Sequence, residues 1–384
     1  MRERSPGVWE LRVYVGRDVL TGKEKVVSRR TRGSRRNAQT ALAKLVTELD
    51  DPMSRRRVAP TQLTVTRLIT GRLAEWDGSP TTKATYLSQL NKYIAPTIGR
   101  LAITELDARI LDRFYRWLRD EQHLSASTIR SIHSLIRGSL RRAVVWGYLK
   151  SNTAIDARPP VARRKELTLP DPGVVADAVA RLAGDDPPYG CLVRLAAATG
   201  ARNGELCAVR WADVDLARCA VRIDATIIST PETGVIRKPT KTHTFRTVAV
   251  DAATIDALRG HRLAMVQRAR VCGITLADSA YVFSHSPSGS TPWRPDHVTK
   301  KWAYHRDQIG LNGVRLHDLR HLQATMLLKA GVPVRNVAKR LGHRDPSVTL
   351  NVYAQYLEDS DHEAAAIMGK LLVAREPDDE PRST

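Results

Sequence analysis

Between Leu316 and Tyr353 the chain sets histidines, an arginine and a tyrosine into apolar, helix-patterned sequence. The run is Leu316-His317-Asp318-Leu319-Arg320-His321, followed by Leu341-Gly342-His343 and then Tyr353. This set suggests a site that handles phosphate, because a planar, permanently charged guanidinium matches phosphate oxygens. His317 and Arg320 stand three residues apart, on one face of a helix, as joint contact with one phosphate requires. Upstream, Arg202 and Glu205 are also three apart in Thr199-Gly200-Ala201-Arg202-Asn203-Gly204-Glu205-Leu206, where a carboxylate can hold a guanidinium in a fixed orientation. Lys241, in Lys238-Pro239-Thr240-Lys241-Thr242, sits between two strand-like segments; a lysine on a hairpin tip is ordinarily just solvated.

Metal chemistry is not indicated. His317 and His321, four apart, have ligand spacing, but no carboxylate or cysteine cluster accompanies them. There is no His-Glu-x-x-His, and no paired acidic cluster for two-metal nuclease work. The four cysteines, Cys191, Cys207, Cys219 and Cys272, form no Cys-x-x-Cys pair, which argues against a zinc site or a disulfide framework. No metal and no cofactor are expected.

The balance of 61 Lys and Arg against 40 Asp and Glu leaves a net charge of +21, a field that attracts polyanions. Nucleic acid is the first candidate partner and an anionic membrane surface the second. Aromatic residues make up only 5%, which disfavours a reader of single strands by base stacking, so duplex DNA fits better. No window holds eighteen uninterrupted apolar residues, and Met1 to Pro6 lacks the apolar core of a signal peptide. A cytoplasmic protein is expected.

At 384 residues the chain should divide into two or three domains, and a 42% hydrophobic share can fill their cores. Residues 1–58 read as a small sheet and a helix. Trp9 to Val15 and Lys25 to Ser28 are strand-like about a turn at Thr21-Gly22-Lys23, and Ser34 to Leu49 is helical. Between strand and helix lie Arg29, Arg30, Arg32, Arg35 and Arg36, five arginines in eight residues and candidates for DNA contact. Arg55-Arg56-Arg57 follow in a linker that could track a phosphate backbone. Residues 61–155 read as all-α, with helices over 64–76, 81–94, 108–121 and 127–146. On the last of these, Arg130, His133, Arg137 and Arg141 form a basic stripe beside the apolar Ile129, Ile132, Ile136, Leu140 and Ala143.

Residues 156–170, rich in Pro and Arg, read as an extended linker. The remainder, 171–384, is mainly α with a small antiparallel sheet. Strands are expected over 221–228, 235–237 and 246–250, and helices over 253–272, 295–310, 317–330, 333–341 and 349–356. The fold class is therefore multidomain α+β.

These motifs resemble those of the tyrosine recombinase, or phage integrase, family. Thr199 to Leu206 is similar to the box carrying the family's first arginine, which implies Arg202. Pro239-Thr240-Lys241-Thr242, followed by Arg246-Thr247-Val248, resembles the β-hairpin carrying its lysine, Lys241. His317-Asp318-Leu319-Arg320-His321 matches the His-x-x-Arg box, giving His317 and Arg320. Leu341-Gly342-His343 implies His343, and Asn351-Val352-Tyr353-Ala354 the nucleophile, Tyr353. Residues 61–155 resemble the SAM-like helical core-binding domain, and residues 1–58 the arm-binding domain of lambda-type integrases. The sequence departs from the family at Leu322-Gln323, which follows His321 where a small hydroxyl residue is usual, and at Gln355, where many members have histidine.

The resemblance implies that Tyr353 attacks a scissile phosphate, leaving a 3′-phosphotyrosyl link and a free 5′-hydroxyl. Arg202 and Arg320 would clamp the non-bridging oxygens, and Lys241 would protonate the departing oxygen. His317 would accept the tyrosine proton, His343 would support the phosphate, and Glu205 would orient its neighbours. It implies a homotetramer acting on double-stranded DNA attachment sites, with an excisionase and a host DNA-bending protein as partners. Two other readings are a type IB topoisomerase, against which the arm-like domain argues, and a non-catalytic DNA-binding regulator, against which the intact constellation argues.

Overall fold

A computed structural model describes residues 1–17, 24–50, 63–162, 169–239 and 245–343, with Asp345, Ala365, Ala366, Met368, Gly369 and Leu372. The chain divides into two compact units, 1–165 and 166–384.

In the first unit, β1 (Arg2–Ser5), β2 (Val8–Arg17) and β3 (Glu24–Arg32) form an antiparallel sheet in that order. Alternation along β2 sends Trp9, Leu11 and Val13 to one face. Helix α1 (Arg35–Asp50) covers that face with Ala38, Ala41, Leu42 and Leu45. Two features differ from the sequence expectation. Strand β1 has no signal in the local pattern, and β3 runs on through the arginine cluster, so Arg29, Arg30 and Arg32 are strand residues instead of a junction. Pairing decides this: Arg32 lies opposite Val8, Arg30 opposite Glu10 and Arg29 opposite Leu11, and a ladder partner outweighs poor strand propensity.

The helical part of this unit comprises α2 (Val65–Ala74), α3 (Pro80–Gln89), α4 (Ala108–Asp120) and α5 (Ala126–Val145). Helix α3 continues into a π-helical turn over Leu90–Ile94. Thr64, Asp107 and Ser125 cap α2, α4 and α5, each side chain accepting a backbone N–H from the first turn. Ile129, Ile132, Ile136, Leu140 and Ala143 of α5 are buried in a core shared with α2 and α4, as their spacing requires.

The second unit opens with α6 (Pro172–Asp185), α7 (Pro187–Thr199) and α8 (Asn203–Ala208). Five short strands follow: β4 (Val214–Asp215), β5 (Ala220–Ile223), β6 (Ala225–Thr230), β7 (Gly234–Pro239) and β8 (Arg246–Ala249). The expected strand over 221–228 breaks at Asp224. Strand β5 joins β4 and β8 in one sheet, while β6 pairs with β7 in another. Asp224 has no place in either ladder, and its carboxylate accepts from Arg237 Nη2 at 2.7 Å. Helices α9 (Ala252–Val271), α10 (Pro295–Arg306), α11 (Leu316–Lys329) and α12 (Val334–Leu341) complete the described elements. The expected helix over 349–356 lies outside the described residues.

Candidate active site

Helix α7 ends at Gly200, whose φ of 62° gives the left-handed C-cap. A Cβ there would collide with the side chains of Gln323 and Leu341. Two residues on, Arg202 caps α8, and Gly204 lets that helix close on β6. A Cβ at Gly204 would lie 2.7 Å from the Ile227 carbonyl oxygen. Glu205 then receives both the backbone N–H of Arg202 and its Nη1, each at 2.9 Å. The Arg202 side chain stays 46% exposed while that of Glu205 is 5% exposed, so a buried carboxylate aims an accessible guanidinium.

Sequence reasoning missed a second cation on this carboxylate. Arg246 Nη2 donates to Glu205 Oε2 at 2.7 Å and Arg246 Nε to the Arg340 carbonyl at 2.8 Å. Strand period could have found it: Arg246 pairs with Ile223 and Val248 with Val221, all on the inward face, so an arginine in that register must meet an anion. Burial alone would raise the Glu205 carboxyl, but Arg246 and Arg202 together hold it below the ordinary carboxylate range.

Arg320 is 3% exposed and gives Nη1 to the Gly200 carbonyl at 2.5 Å and Nη2 to the Leu341 carbonyl at 2.6 Å. It thereby ties the C-terminus of α7 to that of α12. Gly342, with φ of 68°, ends α12 and leads to His343; a Cβ at Gly342 would come within 2.7 Å of Arg246 Nη1. Arg315 and Asp318 form a capping box at the start of α11, which fixes the turn carrying His317.

The pKa of His343 falls to about 4, through burial first and then the charges of Arg320, Arg202 and Arg246. That of His317 also falls to about 4, through dense surroundings first, then His321, Arg320 and Arg202. His317 nevertheless keeps a solvent-exposed edge. The ring of His321 stands edge-on to it, centroids 4.9 Å apart, as α-helical i,i+4 spacing allows. The structure therefore brings Arg202, Glu205, His317, Arg320 and His343 together, with both His317 and His343 neutral near pH 7. Lys241 and Tyr353 lie outside the described residues. Gln323, the second residue of the Leu322-Gln323 departure, donates Nε2 to the Ala198 carbonyl at 2.5 Å and so packs beneath the same helix end.

Away from this cluster, Arg29, Arg30, Arg32, Arg35 and Arg36 are all exposed, the last two in the first turn of α1. Arg30 and Arg32 share the sheet face opposite α1 with Arg2, Glu10 and Arg12, and Arg4 reaches Glu10 at 2.7 Å. On α5, Arg130, Arg137 and Arg141 are exposed. His133 does not belong with them: its Nδ1 pairs with Tyr115 Oη at 2.9 Å, and burial lowers its pKa.

Comparison with known proteins bears on the family and the fold. The Phage integrase family profile matches residues 177–359 and the Phage integrase SAM-like domain profile residues 74–157. The ICEBs1 integrase of Bacillus subtilis (strain 168) is 24% identical over 368 residues, covering 95% of this chain and 98% of that protein. A XerC-like tyrosine recombinase of Caldanaerobacter subterraneus subsp. tengcongensis is 24% identical, covering 77% and 79%. Among solved structures, the Tn1549 transposon integrase in complex with transposon right end DNA superposes with a TM-score of 0.66. That likeness is at 16% identity and spans 80% of this chain and 99% of that one. A lambda integrase tetramer bound to a Holliday junction gives a TM-score of 0.55 at 18% identity, spanning 93% and 96%.

The multidomain α+β fold is shared with those integrase structures, and the family profiles and curated relatives are those of DNA recombinases. The chain belongs to the phage integrase family of tyrosine recombinases and is a site-specific recombinase. Among the described residues no helix is long and apolar enough to cross a membrane.

Proposed function

We propose that this recombinase cleaves and rejoins duplex DNA at attachment sites of a phage or other mobile element, through a 3′-phosphotyrosyl intermediate. Tyr353 Oη forms the new bond to phosphorus and the P–O5′ bond breaks. The tyrosine proton passes to His317, and Lys241 supplies one to the 5′-oxygen. The phosphodiester energy is kept in the tyrosyl ester, so rejoining needs neither metal nor nucleotide hydrolysis.

Arg202 meets the non-bridging oxygens from the accessible side. Arg320 supplies charge from beneath, with two of its five N–H donors fixed on carbonyls. His343 hydrogen-bonds the phosphate, and a neutral His317 is in the form that can accept a proton. The observation that carries this reading is the half-exposed Arg202 guanidinium held by buried Glu205 beside two neutral histidines.

In this reading residues 1–58 bind arm-type DNA through Arg29, Arg30, Arg32, Arg35 and Arg36. Residues 61–155 bind the core site through Arg130, Arg137 and Arg141, 156–170 form a linker, and 171–384 carry the chemistry. The Tn1549 and lambda integrases, seen with transposon DNA and as a tetramer on a Holliday junction, support a homotetramer on DNA. An excisionase and a host DNA-bending protein would set direction, in the bacterial cytoplasm.

The test is a nicked suicide duplex carrying the core site. Wild-type protein should form a covalent protein–DNA adduct and Tyr353→Phe should not. An adduct that survives Tyr353→Phe removes Tyr353 as nucleophile, and no adduct with wild type removes the cleavage mechanism.

A further inference from the structure

On the outer face of β5 and β8, turned away from Glu205, a cleft of about 430 Å³ is lined by Arg210, Arg222, Asp224, Arg237, Lys238 and Phe245. Adjacent residues of an extended segment point to opposite faces. Arg246 therefore turns in toward Glu205, while Phe245, just before β8, turns out and is 62% exposed. Among the described residues the cleft thus shares no side chain with the cluster around Glu205.

The charge in this cleft exceeds what its own carboxylates neutralise. Arg237 and Arg222 both approach Asp224, at 2.7 and 3.8 Å, and Arg237 also lies 3.9 Å from Asp213. Arg210 uses Nη2 on Tyr281 Oη at 3.3 Å and stacks on that ring. Four cations therefore face two carboxylates. Lys238 has no carboxylate partner among the described residues, and the buried Nε atoms of Arg210 and Arg237 have no acceptor there. An excess of donors and positive charge in a concave site calls for an anion.

Phe245 says which kind. A large aromatic ring left in solvent at the rim, with the Arg222 guanidinium 4.5 Å from its centroid, is a flat platform of aromatic and cationic character. Such platforms stack nucleic-acid bases. The volume falls within the roughly 300–1,000 Å³ of small-molecule clefts.

We infer that this cleft is a nucleotide site: Lys238 and the arginines take the phosphate, and Phe245 with Arg222 takes an unstacked base of a single DNA strand. Among the described residues the site has none in common with Arg202, Glu205, His317, Arg320 and His343. A recombinase must part and move strands after cleavage, and a cleft behind the cleavage site can hold a nucleotide that has left its duplex.

Binding to the full-length protein can be measured by calorimetry with thymidine 5′-monophosphate, thymidine and inorganic phosphate, in an Arg202→Ala background. That background weakens the catalytic anion site and keeps the outcome independent of cleavage. The monophosphate should bind more tightly than either fragment. Phe245→Ala should weaken it about tenfold while leaving phosphate unaffected, and Lys238→Gln should weaken both phosphate-bearing probes. Because Phe245 is exposed, its variant should keep the parent's melting temperature. A single-stranded thymidylate hexamer should outcompete the monophosphate; weaker competition overturns the assignment to a DNA strand in favour of a free nucleotide. Equal binding of phosphate and monophosphate overturns the base platform. Binding indifferent to both Phe245→Ala and Lys238→Gln, or no binding at all, overturns the site.

Discussion

In the second unit Arg320 is 3% exposed and gives its Nη atoms to the carbonyls of Gly200 and Leu341. On the N-terminal sheet, Arg30 and Arg32 stand in solvent on the face that α1 leaves open. The side chain is the same and the physics is not. A buried guanidinium has lost its hydration and must be paired by geometry, so its direction is fixed to the precision of the fold. An exposed one keeps its water and mobility, and it acts as part of a field that salt screens. The first arrangement suits a reacting phosphate; the second suits holding a long polyanion.

The contrast is broken most directly at Arg320. Arg320→Ala should cost about 4 kcal/mol of stability, because two buried carbonyls lose charge-assisted partners. Arg202→Ala, at a half-exposed side chain, should cost under about 1 kcal/mol yet slow cleavage about a hundredfold or more. Chemical denaturation and single-turnover cleavage separate the two effects; equal stability losses would erase the distinction between aimed and supporting arginines. Next comes Glu205→Gln, which leaves the Arg246 charge buried without a counter-ion. It should cost about 3 kcal/mol, against less than about 1 kcal/mol for the exposed Asp120→Asn on α4.

A third test uses pH. His317 and His343 have pKa values near 4 in the free protein, below the usual 6.5, so each is neutral above that window. Lowered histidine pKa values mean that stability is lost as pH falls from 6.5 toward 4, since the unfolded chain binds those protons first. A bound phosphate has the opposite effect and raises both pKa values. Duplex binding should then take up protons in that window and tighten as pH falls. Calorimetry in buffers of different ionisation enthalpy reads the uptake, and His317→Gln should reduce it. An uptake that His317→Gln leaves unchanged would exclude the ring from the phosphate.

The smallest effect on the fold belongs to the arm. The double change of Arg30 and Arg32 to Ala should alter stability by less than about 0.5 kcal/mol. It should also flatten the salt dependence of arm-DNA binding by about 0.9 for each phosphate that is no longer neutralised. Core-site cleavage should be unchanged, and an equal fall in core cleavage would refute an arm role.

Much of this was legible in the residues. The apolar stripe of α5 gave its burial directly, and so did the order Arg202, His317, Arg320, His343, which the fold gathers into one place. What could not be read depends on partners distant in sequence. Strand β3 extends through Arg29, Arg30 and Arg32 because β2 offers a ladder, which local propensity does not record. The break at Asp224 follows from two sheets claiming the flanking residues. His133 looks cationic from its spacing, yet Tyr115, reached from α4, takes it out of the stripe. Arg246 was visible as a letter but not as the second cation on Glu205, because that needs the register of β8 against β5.

The C-terminus of α12 has one more consequence. Arg320 is held by the Leu341 carbonyl and Arg246 by that of Arg340, with Gly342 turning the chain so that both fit. A nascent polypeptide must therefore leave the ribosome well beyond residue 342 before either arginine has its aim. Until α12 has formed, Arg320 and Arg246 lack the carbonyls that orient them. The aim of both arginines is therefore set only once α12 is complete.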